Sequence, residues 1–322
     1  MKNFLRILGY ILSGLVIIIL AGPLLIPISP PEGVVPVEQL ADPDSLFADI
    51  SSLNFHYKTQ GSGDTTLILL HGFGASLYSW REVMPALAEQ YTVIAYDRPA
   101  FGLTERPTEW EGENPYSRSA SISQLGELLT AWSVQGKPIL VGNSAGGTVA
   151  LEYTLEHPDQ VAALILISPA VGGGGGPYSK YRWLLKTPQM QRIGPLLVRE
   201  IQKTGLQIID QAWHDPTKQP EDTVPLYTKP LKAEHWDFAL WQYSTSSQPS
   251  DLPERLDQLD LPVLVITGDD DRIVPTQTTI ETAGKIPGAQ LVVLPECGHV
   301  PQEECPQAFL LAVEVFISQL DQ

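Results

Sequence analysis

The chain is 322 residues long, enough for one large α/β domain with an insertion or for two smaller domains. Its 20 Lys+Arg against 37 Asp+Glu give a formal charge of -17, which argues against nucleic acid as a partner and against charge-driven docking on anionic lipid. Two cysteines, Cys297 and Cys305, build neither a disulfide framework nor, without further ligands, a zinc site; they can pair only with each other, in an exported domain.

Lys2 and Arg6 precede an apolar run over residues 7–28, about 22 residues, which at about 1.5 Å per residue spans roughly the 30 Å hydrocarbon thickness of a bilayer. The only small-residue pair, Ala21-Gly22, is followed by Pro23, so an uncleaved membrane anchor over residues 1–28 is expected in preference to a signal segment removed on export. No Lys or Arg occurs between Arg6 and Lys58, while Glu32, Glu38, Asp42, Asp44 and Asp49 follow the span, an asymmetry that predicts a catalytic domain outside the cytoplasm. Pro27, Pro30, Pro31 and Pro36 predict a stiff tether over residues 29–45, ahead of a folded domain at 46–322.

From there, short apolar runs at residues 65–70, 91–96, 138–141, 161–167, 261–267 and 290–294 alternate with segments of helix length. Continuous apolarity within each run predicts a mostly parallel sheet with helices on both faces, and such sheets bind ligands at the carboxyl ends of their strands. The alternation lapses between residues 172 and 251, where five glycines precede a stretch rich in aromatics, among them Tyr178, Tyr181, Trp183, Trp213, Trp236, Phe238, Trp241 and Tyr243. This predicts an inserted helical lid hinged at the glycines, with most of the aromatics in its own core and a few on a pocket. No Lys-Ser or Lys-Thr follows the glycines at phosphate-loop spacing.

Gly142-Asn143-Ser144-Ala145-Gly146 stands between an apolar run and a helix-like stretch. Glycines two positions either side let backbone crowd a serine at a sharp turn, which exposes its hydroxyl as a nucleophile. A serine needs a histidine to take its proton and a carboxylate to orient that histidine. Both follow in order at strand ends: Gly268-Asp269-Asp270-Asp271-Arg272, offering three carboxylates, and Cys297-Gly298-His299.

With His71-Gly72-Phe73-Gly74 and Asp97-Arg98-Pro99-Ala100-Phe101-Gly102, these motifs resemble the α/β-hydrolase superfamily from about Leu53 to the carboxyl terminus, with Ala100 where the family usually has glycine. The resemblance implies the α/β-hydrolase fold, a lid, no cofactor and no metal. It implies Ser144 as nucleophile, His299 as base and Asp271, three residues beyond Gly268, as the orienting carboxylate. The backbone amides of Phe73 and Ala145 would form the oxyanion hole, with His71 bracing the loop that carries Phe73. Asp97 with Arg98 reads as a loop-fixing ion pair, and Tyr78 and Trp80 either border the pocket or pack. His56, His157, His214 and His235 lack partner motifs and read as surface or packing residues. Serine at the elbow argues against the epoxide- and halide-cleaving relatives, which carry aspartate there. The expected activity is hydrolysis of a carboxylic ester with an apolar group. The glycine-rich elbow and Cys297-Gly298-His299 are also similar to hydrolases that split carbon-carbon bonds in ring-fission dienoates, although Val300 stands where those tend to have tryptophan. A non-catalytic ligand-binding member is the third expectation.

Overall fold

Runs such as Thr66–Leu70 (TLILL) and Ala163–Ile167 (ALILI) are apolar at every position, so they are stable as strands only with both faces covered. A computed structural model describes residues 2–50, 52–172, 182–246 and 250–320, and in it these runs lie at the centre of an eight-stranded sheet. Its strands are β1 (Leu46–Ile50), β2 (Leu53–Gln60), β3 (Thr66–Leu70), β4 (Thr92–Tyr96), β5 (Ile139–Asn143), β6 (Ala163–Ile167), β7 (Val263–Gly268) and β8 (Gln290–Leu294). Their spatial order is β1-β2-β4-β3-β5-β6-β7-β8; β1 and β2 pair antiparallel with their neighbours and the other six run parallel.

The α-helices are α1 (Lys2–Leu25), α2 (Met84–Leu87), α3 (Arg118–Ala131), α4 (Ala145–Glu156), α5 (Arg182–Leu185), α6 (Pro188–Arg199), α7 (Ile201–Ala212), α8 (Thr223–Thr228), α9 (Trp236–Ser246), α10 (Thr276–Ala283), α11 (Pro301–Glu304) and α12 (Pro306–Leu320). Successive strand residues point to opposite faces, and two cores result. Ile68, Leu70, Leu140, Leu164 and Leu166 pack with Leu125 and Leu128 of α3 on one face. Leu67, Leu69, Ile139, Val141 and Ile165 pack with Phe309 and Phe316 of α12 on the other. Each fully buried leucine or isoleucine contributes about 1.5–3 kcal/mol by leaving water.

β1 and β2 lie outside the six apolar runs. LFADI and LNFHYKTQ mix polar and apolar positions because this antiparallel ribbon forms one edge of the sheet and buries little of β1. The proline-rich stretch is also no free spacer in its second half. Proline-rich chain has few internal partners for its backbone, and here Val35 forms a parallel bridge with Ala233, its amide donating to Lys232 O at 2.8 Å. Asp42 accepts from Lys229 Nζ (2.6 Å), Lys58 Nζ (2.9 Å) and the Tyr78 hydroxyl (2.7 Å). Burial pushes the Asp42 carboxyl up, but these donors hold it well below the usual carboxylate range.

Helices α5–α9 lie between β6 and β7 in the chain, and α7, α8 and α9 supply one wall of the apolar cavity beside Ser144 described below. Trp213, Trp236 and Trp241 are buried within this layer, whereas Trp183 is 69% exposed. The five-glycine run lies, beyond Gly172, outside the described residues, as do Tyr178 and Tyr181.

Candidate active site

The elbow is set by space. Ser144 joins β5 to α4 with φ 52° and ψ -118°, a left-handed conformation that costs a non-glycine residue on the order of 1–3 kcal/mol. A Cβ on Gly142 would lie 2.6 Å from Gly147 Cα, and one on Gly146 would lie 2.1 Å from the Leu70 carbonyl oxygen. Only glycine fits at either position, so the turn stays tight and Ser144 reaches the cavity wall.

Gly268-Asp269-Asp270-Asp271 leaves the end of β7, and His299 lies beyond β8. His299 Nδ1 is 2.8 Å from Asp271 Oδ2, and Asp271 Oδ1 accepts from the amides of Ile273 and Val274, both at 2.9 Å. An ionised carboxylate only accepts, so Nδ1 is the donor and Nε2 keeps its lone pair. The rival carboxylates are engaged elsewhere: Asp270 pairs with Arg272 and His214, and Asp269 accepts from the Cys297 amide.

On the other side of Ser144, His71 Nδ1 donates to the Gly72 carbonyl at 2.8 Å and its Nε2 accepts from the Arg98 amide at 3.1 Å. Burial, with the nearby Arg98 charge, lowers His71 to about 3, so it stays neutral and able to accept. Phe73 lines the cavity beside Ser144 and His299. Among the described residues, neither the Phe73 nor the Ala145 amide has a backbone acceptor, and the latter opens α4, where the helix dipole is positive. Ala100, in the usual glycine position, keeps a left-handed backbone at φ 76°.

Asp97 and Arg98 do not pair with each other. Asp97 Oδ2 meets His56 Nδ1 at 2.6 Å inside the protein, and Arg98 Nη2 donates to the Gly72 carbonyl at 3.2 Å. His56 is therefore a buried hydrogen-bond partner of Asp97, with His235 exposed, His157 half-buried against the Tyr153 ring and His214 partly buried against Asp270. Trp80 packs in the core, and Tyr78 bonds Asp42; neither lines the cavity.

Two functional contacts have no pattern in the sequence. Asn143 Nδ2 donates to the His299 carbonyl (3.2 Å) and to that of Ile167 (3.3 Å), linking the elbow to the histidine loop. Glu304 accepts from the amides of Gly298 (2.7 Å), His214 (2.9 Å) and Asp215 (2.9 Å), while the His299 amide donates to Ala212 O at 2.7 Å. The histidine loop is thereby fastened to the end of α7. Cys297 and Cys305 form a disulfide across the same loop.

The cavity has a volume of about 190 Å³. Ile208, Ile209, Leu231, Leu240, Ile273 and Val300 make it apolar, and Trp213 and Trp236 are the buried tryptophans that reach it. Among the described residues no Lys or Arg lines it.

A parallel sheet with helices on both faces, an inserted helical layer and a serine elbow at the end of β5 define a hydrolase of α/β fold. Residues 65–306 match the alpha/beta hydrolase fold family, and the chain belongs to it. It is 28% identical over 278 residues to a 2-hydroxy-6-oxo-6-(2'-aminophenyl)hexa-2,4-dienoic acid hydrolase of Metapseudomonas resinovorans, covering 85% of this chain and 90% of that one. It is similar in fold to a thermophilic esterase from Thermogutta terrifontis (TM-score 0.68, 22% identity, 86% of this chain and 99% of the esterase). It is likewise similar to a membrane phospholipase A described as a bacterial virulence factor, with TM-score 0.68, 24% identity and 100% of both chains covered.

Proposed function

We propose that this chain is a membrane-anchored serine hydrolase that cleaves carboxylic esters carrying an apolar group, through an acyl-serine intermediate. Ser144 Oγ attacks the ester carbonyl carbon as His299 Nε2 takes its proton, and Asp271 holds Nδ1–H and stabilises the imidazolium. The oxyanion forms against the Phe73 and Ala145 amides. Collapse expels the alcohol with the proton from His299; water, activated by the same base, then releases the acid.

The observation that carries the ester reading is the lining of the cavity. A ring-fission dienoate brings a carboxylate, and desolvating an unpaired carboxylate against isoleucine and leucine costs several kcal/mol. An apolar acyl or alcohol group has no such cost, and among the described residues no cation lines the cavity to offset that of a carboxylate. The relationship to the Metapseudomonas dienoic acid hydrolase favours carbon-carbon cleavage as the second reading. Product analysis on esters of increasing chain length and on a ring-fission dienoate separates the two: ester turnover that improves with chain length is expected, and preferential turnover of the dienoate overturns the proposal.

The anchor is α1, whose stretch Asn3–Leu25 reaches mean hydropathy 2.4 over its most apolar 18-residue window and packs none of that window inside the protein. Three side chains of α6 seat the helical layer on its carboxyl end: Gln189 Nε2 donates to Leu20 O (2.9 Å), Arg192 Nη2 to Ile26 O (3.2 Å) and Arg199 Nη2 to Ser29 O (2.7 Å). We read the layer as a lid beside the bilayer surface. The disulfide and the charge asymmetry around the span both favour a non-cytoplasmic domain. Retention in the membrane fraction through a carbonate wash is expected; release as a shortened soluble form contradicts the anchor.

A further inference from the structure

A second cavity, of about 100 Å³, adjoins the start of α4, where Ala145, Thr148 and Val149 line it. Its chemistry is opposite to that of the first. Arg98 and Arg118 line it and no Asp or Glu does, among the described residues. Arg118 is paired with Glu152 at 3.1 Å. Arg98 is 1% exposed and has no carboxylate partner among the described residues; Asp97, its neighbour in the chain, is engaged by His56.

The guanidinium of Arg98 is only partly satisfied. Nη2 donates to the Gly72 carbonyl, and the group lies 5.2 Å from the Phe101 ring centre and 6.0 Å from that of Tyr243. Its Nε and Nη1 have no hydrogen-bond partner among the described residues. Leaving N–H groups of a buried cation unpaired is costly, and a ligand oxygen removes that cost. The 12-residue helix α4 starts at the same wall, so its positive end adds to the field.

We infer that this cavity binds a small oxyanion, a carboxylate or phosphate group, against the Arg98 guanidinium. The site is coupled to the oxyanion loop, because the same residue holds the Gly72 carbonyl through Nη2 and His71 through its amide. An anion that orders Arg98 also braces the segment carrying the Phe73 amide.

The test is calorimetric titration of the full chain in detergent with sodium phosphate and, separately, sodium acetate, at ionic strength held constant with chloride. Saturable binding of at least one anion is expected, with the tighter of the two identifying the group. Arg98→Met is expected to weaken it at least tenfold. Because Arg98 also supports the loop, Ser121→Leu provides a second variant: it fills the cavity from α3 and should weaken binding as much while the protein retains cooperative thermal unfolding. A non-saturating response in the wild type, or unchanged affinity in the two variants, overturns the inference.

Discussion

The two loops beside Ser144 are fastened to different parts of the molecule. The loop that carries Phe73, the proposed oxyanion loop, is held by His71 and Arg98, which both bond the Gly72 carbonyl and are joined to each other through the Arg98 amide. The histidine loop is held by the helical layer, through Ala212 O and through Glu304, which also caps the amides of His214 and Asp215. Donors for a transition-state charge must not move, since their value lies in being oriented before the charge appears. His299, the proposed base, is by contrast tied to the end of α7 in the helical layer that we propose as a lid, so on this reading displacement of α7 acts on His299 before it acts on Phe73.

Breaking the histidine side at its chemical centre gives the largest expected effect. Asp271→Asn should lower kcat for a short neutral ester roughly 10⁴-fold with little change in KM, because the His299 tautomer is no longer fixed. Glu304→Ala removes the clasp and leaves Ser144, Asp271 and His299, the proposed triad, in place; kcat should fall about tenfold to a hundredfold, the scale of a small misplacement of a catalytic group. Unchanged kcat in Glu304→Ala would show that the layer and the base are independent.

Acid stability sharpens the same contrast, at smaller amplitude. His71, on the oxyanion side, is lowered to about 3, so the unfolded chain takes up its proton near 6.5 while the folded one does not. Its contribution is complete above about pH 6.5 and is lost as pH falls toward 3. Glu303, on the layer side, accepts from Arg81 Nη1 (2.7 Å) and the Tyr227 hydroxyl (2.5 Å), yet burial raises it to about 7. Its contribution has the opposite sign: present below about pH 4.5 and lost as pH rises through 7. Thermal midpoints against pH should therefore lose the acid-side fall in His71→Gln and the loss near neutrality in Glu303→Gln. Identical profiles in both variants would contradict these assignments.

How much of this was legible follows from where the information lies. Ser144, Asp271 and His299 stand in short motifs at strand ends, and the six parallel strands are continuous apolar runs because both their faces are buried. β1 and β2 escape that rule as an antiparallel edge. Asp97 and Arg98 read in the sequence as partners because they are adjacent opposite charges, but neighbours at a strand end point apart. The Asp97 carboxylate instead meets His56 on the adjoining β2. Glu304 reaches His214 across 90 residues, and no local pattern encodes such a contact. The unpaired N–H groups of Arg98 are visible only once its surroundings are assembled.

The central claim, that Ser144 is an activated nucleophile, is tested most directly by covalent labelling of the full chain with a fluorophosphonate, mapped by peptide mass spectrometry. One adduct is expected, on Ser144, absent in Ser144→Ala and at least a hundredfold slower to form in His299→Ala. An adduct on another residue, or ester hydrolysis at the wild-type rate in Ser144→Ala, would contradict it.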